Sequence, residues 1–492
     1  MESAFGQPGY QDLLVQNEQL IAENTYLKSE LAQLKRYIFG QRRERFIPGS
    51  ADQLPLGLDI ELKENNANDT ERIEYIRRKK SGKITPHGRG EIPSCIPRNE
   101  IIIEPQENTS ESKCIGKEVT EELEYRPGKL YVNRYIRLKY KQEKSGEIII
   151  GTLPNRPIEK GIAGPGLLSH ILVSKYVDHL PLYRQIKQFK REGITLSQST
   201  INDWIKYSSQ LLESLYQQLK KEVLNTDYLM IDETPIRVLD GKIKGKSHSG
   251  YFWVYYSPLK KMVFFDYRNN RSREGPNELL KEYQGYIQTD AYSGYEEVAK
   301  REGIISVGCF AHARRYFEQA RDTDRKRSHW MLEKIGRLYE IERSLKDQTS
   351  SNEDRYVKRQ ESSLPLLSEI RVWLDREMLE VLPRSSIGKA IGYMHSNWPR
   401  LNRYLEHGKL EIDNNLVENA IRPVALGRKN YLFKGSHKGA GRSAIIYSLL
   451  STANLQNKNP WKYLRDTLIR IPDHSIRKLD QLLPSNYKEP DD

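Results

Sequence analysis

The feature that most constrains the fold is the order of short apolar segments between Tyr228 and His312. Three strand patterns come first, and helical and strand patterns then alternate. The order predicted is strand 228–239, strand 251–256, strand 262–267, helix about 276–283, strand 285–290, helix about 294–302, strand 304–309 and a helix from residue 312. A meander followed by alternating helices and strands indicates an α/β domain.

Two aspartates in this segment follow apolar strand sequences. Asp232 comes directly after Leu229-Met-Ile231, and Asp290 comes shortly after Tyr286-Ile287. The element order describes an RNase H-like α/β core, in which the first and fourth strands lie side by side. We therefore expect Asp232 to emerge at an edge or end of its strand and Asp290 to lie close to it.

A third carboxylate, Glu418, belongs to a late helical pattern that also carries Asn414, Asn415 and Arg422. These four residues are three or four positions apart and share one helix face. Glu418 is therefore predicted to complete a triad with the two aspartates. The neighbouring asparagines and Arg422 are candidate DNA contacts or supports for the acids.

Three carboxylates at one site require a compensating cation, because like charges held close together cannot all stay ionised. Hard oxygen ligands select Mg²⁺ or Mn²⁺, and two such ions suit an in-line displacement at phosphorus. The predicted catalytic and metal-binding residues are thus Asp232, Asp290 and Glu418. Since the chain has 66 acidic residues, any one of them alone is more often a solvated charge, and the prediction depends on all three together.

These motifs resemble those of the IS66-family insertion-sequence transposases. The resemblance covers nearly the whole chain and includes three further strings: Lys175-Tyr-Val-Asp-His-Leu-Pro-Leu-Tyr-Arg184, Gly308-Cys-Phe-Ala-His-Ala-Arg-Arg315 and Gly427-Arg-Lys-Asn-Tyr-Leu-Phe-Lys-Gly435. The family's catalytic acids correspond to Asp232, Asp290 and Glu418. The resemblance implies a Mg-dependent DDE transposase that binds terminal inverted repeats, hydrolyses phosphodiester bonds and transfers a strand to target DNA. It also suggests accessory proteins encoded by the same element.

The net charge of +13 over 492 residues suits a polyanionic partner such as double-stranded DNA, although a ribosome-associated or merely soluble basic protein fits equally. Because the chain has only three cysteines, we do not expect a framework of disulfide bonds. There is no apolar run of about 18 residues and no signal-peptide pattern. The sequence therefore predicts a cytoplasmic, nucleoid-associated protein with no membrane partner.

The N-terminal region carries a heptad pattern, with Leu13, Leu20, Leu27 and Leu34 seven residues apart. Residues 10–40 are predicted to form a leucine-zipper coiled coil and hence a homodimer. An amphipathic helix packed on the chain's own core is the alternative interpretation. Residues 41–90 have blocks of like charge without apolar periodicity, which predicts a basic and polar linker.

Residues 91–155 are predicted to form a small β-rich module. Relatives in the resembling family carry two Cys-x-x-Cys pairs in this region, whereas Cys114 stands alone here. One thiolate cannot build a four-thiolate site, so we expect a degenerate zinc-finger-like fold without zinc.

Three further segments complete the predicted organisation. Residues 160–224 are helical and are interpreted as a DNA-binding region with a helix-turn-helix, or as a helical subdomain packed on the core. Residues 225–435 form the predicted catalytic domain, with a helical insertion at about 321–410. Residues 436–492 form a predicted C-terminal helical region.

Several basic residues near the predicted triad are candidate DNA contacts, because positive charge interleaved with aromatic side chains suits phosphates and bases. Solvated or packed side chains are the alternative for each. The candidates outside the triad helix face are Arg314, Arg315, Arg428, Lys429 and Lys434.

The function predicted from the sequence is that of a DDE transposase of an insertion sequence. A catalytically silent zipper-dimer DNA-binding repressor, or a domesticated transposase, is the alternative from another class. A structure-selective nuclease without strand transfer would share the same metal site.

Overall fold

The computed structural model describes residues 161–239, 246–348 and 350–489, together with short stretches between residues 128 and 159. The predicted coiled coil at 10–40 and the linker at 41–90 lie outside the described residues, as does Cys114. Most of the predicted β-rich module does too. Within that module, strands β1 (Lys139–Lys141) and β2 (Ile148–Ile150) form an antiparallel pair.

The region predicted to be helical contains four helices, α1 (Pro165–Tyr176), α2 (Leu182–Arg191), α3 (Gln198–Leu211) and α4 (Glu213–Leu224). Ser197 caps α3, since its hydroxyl accepts a hydrogen bond from the Thr200 backbone N–H at 3.1 Å. The apolar face of α3 is buried in the core. The helical prediction for this region therefore agrees with the structure, and its DNA-binding role stays a prediction.

One five-stranded mixed sheet organises the core. Its strands are β3 (Tyr228–Leu239), β4 (Ser247–Ser257), β5 (Met262–Arg268), β6 (Gly285–Gln288) and β7 (Ile304–Val307). The spatial order is β5-β4-β3-β6-β7, with antiparallel pairs among the first three strands and parallel pairs from β3 through β6 to β7. The first and fourth strands of the segment are neighbours, as the sequence predicted.

The contact between β3 and β6 depends on Gly285. Its φ is +130°, and a Cβ at this position would lie 2.5 Å from the carbonyl oxygen of Asp227. A side chain would therefore push β6 away from the start of β3. Without one, the Tyr286 N–H donates to the Asp227 carbonyl at 2.9 Å, and Tyr228 lies in register with Tyr286.

Helices surround the sheet and fill the segment after it, and their bounds are as follows. They are α5 (Glu274–Leu279), α6 (Glu296–Ala299), α7 (Phe310–Ala320), α8 (Arg325–Asp347), α9 (Asn352–Lys358), α10 (Leu364–Glu380), α11 (Ser386–Ser396), α12 (Trp398–Asn402), α13 (Asn415–Tyr431), α14 (His437–Leu455) and α15 (Pro460–Arg470). A π-helical segment at Arg359–Ser363 joins α9 to α10, and short 3₁₀ turns occupy Ser293–Tyr295, Arg403–Leu405, Ile471–Asp473 and Ile476–Leu482. The elements described between Arg325 and Leu405 are all helical.

Helix α14 covers the outer edge of β5. The Ser448 hydroxyl accepts a hydrogen bond from the Phe265 N–H at 2.9 Å, and the Thr452 hydroxyl accepts one from the Val263 N–H at 3.1 Å. An uncovered edge strand presents unpaired backbone groups that invite association with other chains. The C-terminal helical region therefore covers the edge that β5 would otherwise expose.

Several predicted boundaries differ from the structure. The second strand begins at Ser247 and the helix predicted at about 276–283 is only Glu274–Leu279. The strands predicted to end at residues 290 and 309 end at Gln288 and Val307. One backbone hydrogen bond, from the Thr289 N–H to the Val307 carbonyl at 3.3 Å, extends beyond the end of β6. No helix in the described residues is long and apolar enough to cross a membrane.

Candidate active site

Asp232 lies on β3 at a change in the strand's pairing. The parallel pairing with β6 ends at Met230, while antiparallel pairing with β4 continues through Asp232 and on to Leu239. Asp232 therefore lies inside a long strand. On the side of β6, however, pairing has already ended, so Asp232 is at an edge of the sheet there, as predicted. Asp290 lies two residues beyond the last residue of β6, so both acids leave the same end of the parallel pair.

The carboxyl of Asp232 is in an unfavourable setting for negative charge. Burial raises its pKa well above the usual range, and the charges of Glu233, Asp290 and Glu418 raise it further. A hydrogen bond from the Glu233 N–H to Oδ1 at 2.8 Å opposes these effects without cancelling them. The shift shows that acids from β3, the β6 loop and α13 are close enough to repel one another.

Asp290 is held by the loop that follows β6. Its Oδ1 accepts a hydrogen bond from the Tyr292 N–H at 2.9 Å, and its backbone carbonyl accepts one from the Tyr393 hydroxyl at 3.2 Å. Ala291, between them, has a φ of +65°, a backbone conformation that non-glycine residues rarely adopt. This strained turn and its two hydrogen bonds fix the position of the acid.

Glu418 lies in the first turn of α13, where the helix dipole favours a negative charge. Its Oε1 is 4.0 Å from the His312 Nε2 and 4.0 Å from an Arg315 guanidinium nitrogen. The start of α13 is tied to the start of α7 through a buried contact, because the Cys309 thiol donates to the Asn414 Oδ1 at 2.9 Å. The strand–helix junction after β7 thus positions the third acid.

His312 is neutral at neutral pH. Burial and the neighbouring Arg315 lower its pKa to about 4, although Asp290 acts in the opposite direction. Its Nδ1 lies 3.3 Å from the Cys309 sulfur. His312 therefore contributes a polar ring to the cluster, and Arg315 is the charged partner of Glu418 in this helix.

The chemistry of the three carboxylates fits a hard divalent cation, since all donors are oxygen and their mutual repulsion raises the pKa of Asp232. Their spacing is wider than a closed metal site. In the part of the chain that the structure describes, no three His, Cys, Asp or Glu side chains are grouped closely enough to hold a metal ion.

A second set of residues beside Asp232 was not predicted from the sequence. The Glu233 side chain is 3% exposed and accepts hydrogen bonds from Arg271 Nε at 2.8 Å and from the Tyr295 hydroxyl at 2.6 Å. The Arg271 guanidinium lies 3.7 Å from the centre of the Tyr292 ring. This network joins β3 to the loop that holds Asp290. The only part of this network that the sequence motif marks is the glutamate directly after Asp232.

The predicted DNA contacts have different surroundings. Arg314 forms an ion pair with Glu318 at 3.0 Å on its own helix, and Asn415 donates its amide to Asp413 at 2.7 Å. Arg428 donates to the Pro235 carbonyl on β3. Three of the predicted contacts keep substantial exposure and remain accessible to DNA: Arg315, Arg422 and Lys429.

Lys434 differs from the prediction most clearly. Its ammonium is buried, with no hydrogen-bond partner among the described residues, and it lies 4.9–5.4 Å from the ring centres of Tyr176, Tyr431 and Tyr447. Burial lowers its pKa well below the usual value, and Lys175 lowers it further. Its backbone pairs with β3, donating to the Arg237 carbonyl at 2.7 Å. In this structure Lys434 packs inside the protein and does not face a phosphate.

Comparisons with known proteins identify the family. The model of the Transposase IS66 family matches residues 160–442, that of the IS66 C-terminal element matches residues 448–485, and that of the Transposase C of IS166 homeodomain matches residues 26–101. The chain therefore belongs to the IS66 family of transposases. Membership in this family indicates an insertion-sequence transposase.

Two similar proteins are the uncharacterized proteins y4hP and y4jD of Sinorhizobium fredii. The protein y4hP is 32% identical over 495 residues, which cover 94% of this chain and 88% of y4hP. The protein y4jD is 31% identical over 495 residues, which cover 96% of each chain. The similarity thus extends over almost the full length of these proteins.

Proposed function

We propose that the protein is a DDE transposase whose catalytic acids are Asp232, Asp290 and Glu418. The observation that carries the proposal is the raised pKa of Asp232, to which both other acids contribute. This supports a shared site for three acids that are 58 and 128 residues apart in the sequence. Carboxylates gathered at a strand end and a helix start are the arrangement that metal-dependent phosphoryl transfer uses.

The sheet supports an RNase H-like assignment for the catalytic core. Three antiparallel strands lead into two parallel strands, and the order β5-β4-β3-β6-β7 places the longest strand at the centre. Asp232 lies on the central strand β3, and Asp290 lies just beyond the neighbouring strand β6. Glu418 comes from the helix that follows the helical insertion.

Asp232, Asp290 and Glu418 would hold Mg²⁺ or Mn²⁺, as two ions. When bound, such ions supply charge stabilisation for the attacking and leaving oxygens of an in-line displacement at phosphorus. Glu418 also lies 4.0 Å from His312 and from Arg315, which places a polar ring and a positive charge beside it.

The chain's own cations would orient the DNA. Arg315 lies beside Glu418 and is 41% exposed, and Arg271 is 43% exposed beside Asp232. A guanidinium group can form paired hydrogen bonds to a phosphate. Arg422 and Lys429 on the exposed side of α13 would extend this contact along the strand.

Further parts of the proposal concern the partners. The helices α1 to α4 would contribute to recognition of the terminal inverted repeats, and residues 10–40 would form a homodimer that brings two ends together. Accessory proteins of the same element and association with the nucleoid remain expectations from family membership and from DNA binding.

The test uses the full-length protein and a duplex from either end of the mobile element. Asp232→Ala, Asp290→Ala and Glu418→Ala should each reduce Mg²⁺-dependent cleavage and strand transfer to background, while binding to the duplex without metal is kept. Glu302→Gln is the matched control, since Glu302 is an exposed carboxylate ahead of β7.

Binding of the ends by wild-type protein without any cleavage would favour a catalytically silent DNA-binding repressor. Cleavage at the wild-type rate by any of the three alanine variants would show that the triad is misassigned. Cleavage without strand transfer would favour a nuclease.

A further inference from the structure

A cavity of about 420 Å³ opens between α7, α10 and α11, beside the candidate active site. Its lining includes Tyr316, Met378, Lys389, Gly392 and Tyr393. The hydroxyl of Tyr393 donates to the backbone carbonyl of Asp290 at 3.2 Å. One wall of the cavity therefore holds the loop that carries a candidate catalytic acid.

The cavity presents an aromatic surface. The rings of Tyr316 and Tyr393 stack with their centres 4.5 Å apart and an angle of 27° between the ring planes. Tyr316 is 37% exposed and follows Arg315, which lies 4.0 Å from Glu418. A flat aromatic pair thus adjoins a cation at the acid cluster, and such pairs bind nucleobases by stacking.

Gly392 keeps the cavity open. It lies inside α11, where glycine is a poor helix former. A Cβ added at this position would meet no atom within 4 Å, so packing does not exclude a side chain there. A larger residue would project into free space and reduce the volume of the cavity.

We propose that this cavity receives one unpaired nucleobase of the DNA strand whose phosphate lies at the acid cluster. The inference rests on the proposed transposase function. Aromatic and apolar walls suit the faces of a base, and Lys389 supplies a positive charge for the adjoining phosphate. The volume lies in the range of roughly 300–1,000 Å³ that is usual for small-molecule sites. Enzymes that turn a base out of the duplex hold it in such a pocket.

The experiment places 2-aminopurine at successive positions around the cleaved phosphate of the element-end duplex. Fluorescence is measured with full-length protein in the absence of divalent cations, so that the strand stays intact. One position should brighten with wild-type protein and fail to brighten with Gly392→Leu. Gly336→Leu is the matched control, because Gly336 also lies inside a helix and an added Cβ there meets no atom within 4 Å.

Cleavage gives the second measurement. Gly392→Leu should lower Mg²⁺-dependent cleavage by about ten-fold, the size of one base–aromatic contact. An abasic duplex lacking that base should be cleaved equally by wild type and Gly392→Leu. Tyr316→Leu, at a partly exposed position, should reproduce both losses and serves if Gly392→Leu fails to fold.

Three outcomes overturn the proposal. The first is that Gly392→Leu and Tyr316→Leu behave like Gly336→Leu while wild-type protein cleaves normally, which leaves the transposase assignment intact. The second is that Gly392→Leu lowers cleavage equally for intact and abasic duplexes. The third is that wild-type protein neither binds nor cleaves the ends, in which case the transposase proposal fails as well.

Discussion

Two buried carboxylates, Asp232 on β3 and Glu411 just ahead of α13, have pKa values shifted in opposite directions. Burial alone would raise the pKa of both. The carboxylates around Asp232 raise its pKa further, whereas Lys346 and Arg355 hold the pKa of Glu411 below its usual value. Lys346 lies 2.8 Å from one Glu411 oxygen and Arg355 lies 3.2 Å from the other.

A buried ion pair within the helical insertion is compensated in a similar way. Arg359 is fully buried, and it donates at 2.7 Å to each carboxylate oxygen of Glu342. It also donates to the backbone carbonyls of Tyr404, His407 and Leu410. Compared with Asp232, the buried acids Glu411 and Glu342 are each paired with cations from this chain. Burial and the charges of Glu233, Asp290 and Glu418 raise the pKa of Asp232, and in the proposed function a bound cation would compensate these charges.

The largest effect is expected in the insertion. Arg359→Met leaves Glu342 buried without its partner and should lower the free energy of unfolding by about 3–5 kcal/mol. Urea unfolding followed by circular dichroism measures this change. The matched control is the double variant Arg359→Met/Glu342→Leu, which removes both charges and should be clearly more stable than the single variant. Equal stability of the two variants would contradict the account of this ion pair.

Arg271 is the cation that the chain itself supplies next to Asp232. We expect Arg271→Ala to weaken binding of element-end DNA by about ten-fold to a hundred-fold, since hydrogen bonds to charged groups contribute roughly 1.5–3 kcal/mol. Arg273→Ala is the control, because Arg273 is 70% exposed and contacts Glu297 at 3.5 Å. Affinity is measured by fluorescence anisotropy at fixed salt. A similar loss in both variants would mean that Arg271 acts only through general charge.

The folding stability that depends on Asp232 should change with pH in the opposite direction to that of an acid paired with a cation. Because its pKa is raised on folding, the folded state holds a proton that the unfolded state releases, so stability falls as pH rises above the ordinary pKa of aspartate. Asp232→Asn should remove this loss, so that the metal-free variant is more stable than wild type at pH 8 and differs less from it at pH 5. Urea unfolding in EDTA at pH 5 and pH 8 measures it. A destabilised variant at pH 8 would count against the assigned electrostatics.

The smallest expected effect is a change in the salt dependence of DNA binding, and it should differ between an exposed lysine and a buried one. Lys429→Ala should reduce the slope of log affinity against log salt by about one unit, as expected for one lost phosphate contact. Lys434→Met should leave that slope unchanged, because its ammonium is buried among tyrosine rings. DNA binding over a series of salt concentrations gives both slopes. The reverse result would restore Lys434 as a DNA contact.

The sequence predicted most of the sheet because apolar periodicity and turn residues act locally. The helices after residue 160 and the long strands begin and end within a few residues of their predicted bounds. The two short parallel strands end two residues before their predicted bounds, and β4 begins four residues before its own, since pairing with neighbouring strands sets these ends. The pairing of β3 with β6 followed from the order of the elements and placed Asp232 near Asp290.

The surroundings of the site were less predictable. Arg271 lies in a loop without any periodic pattern, and its contact with Glu233 depends on how that loop folds over β3. The burial of Lys434 depends on tyrosines that come from α1, α13 and α14. Contacts between side chains so far apart in sequence leave no local signal.

The central claim is that the carboxylates around Asp232 form the site of a divalent cation. Electron paramagnetic resonance of Mn²⁺ titrated with the full-length protein tests it directly. Wild-type protein and Glu302→Gln should bind Mn²⁺, and Asp232→Asn, Asp290→Asn and Glu418→Gln should each lose most of that binding while remaining folded. Binding of Mn²⁺ by all three variants at wild-type strength would contradict the account.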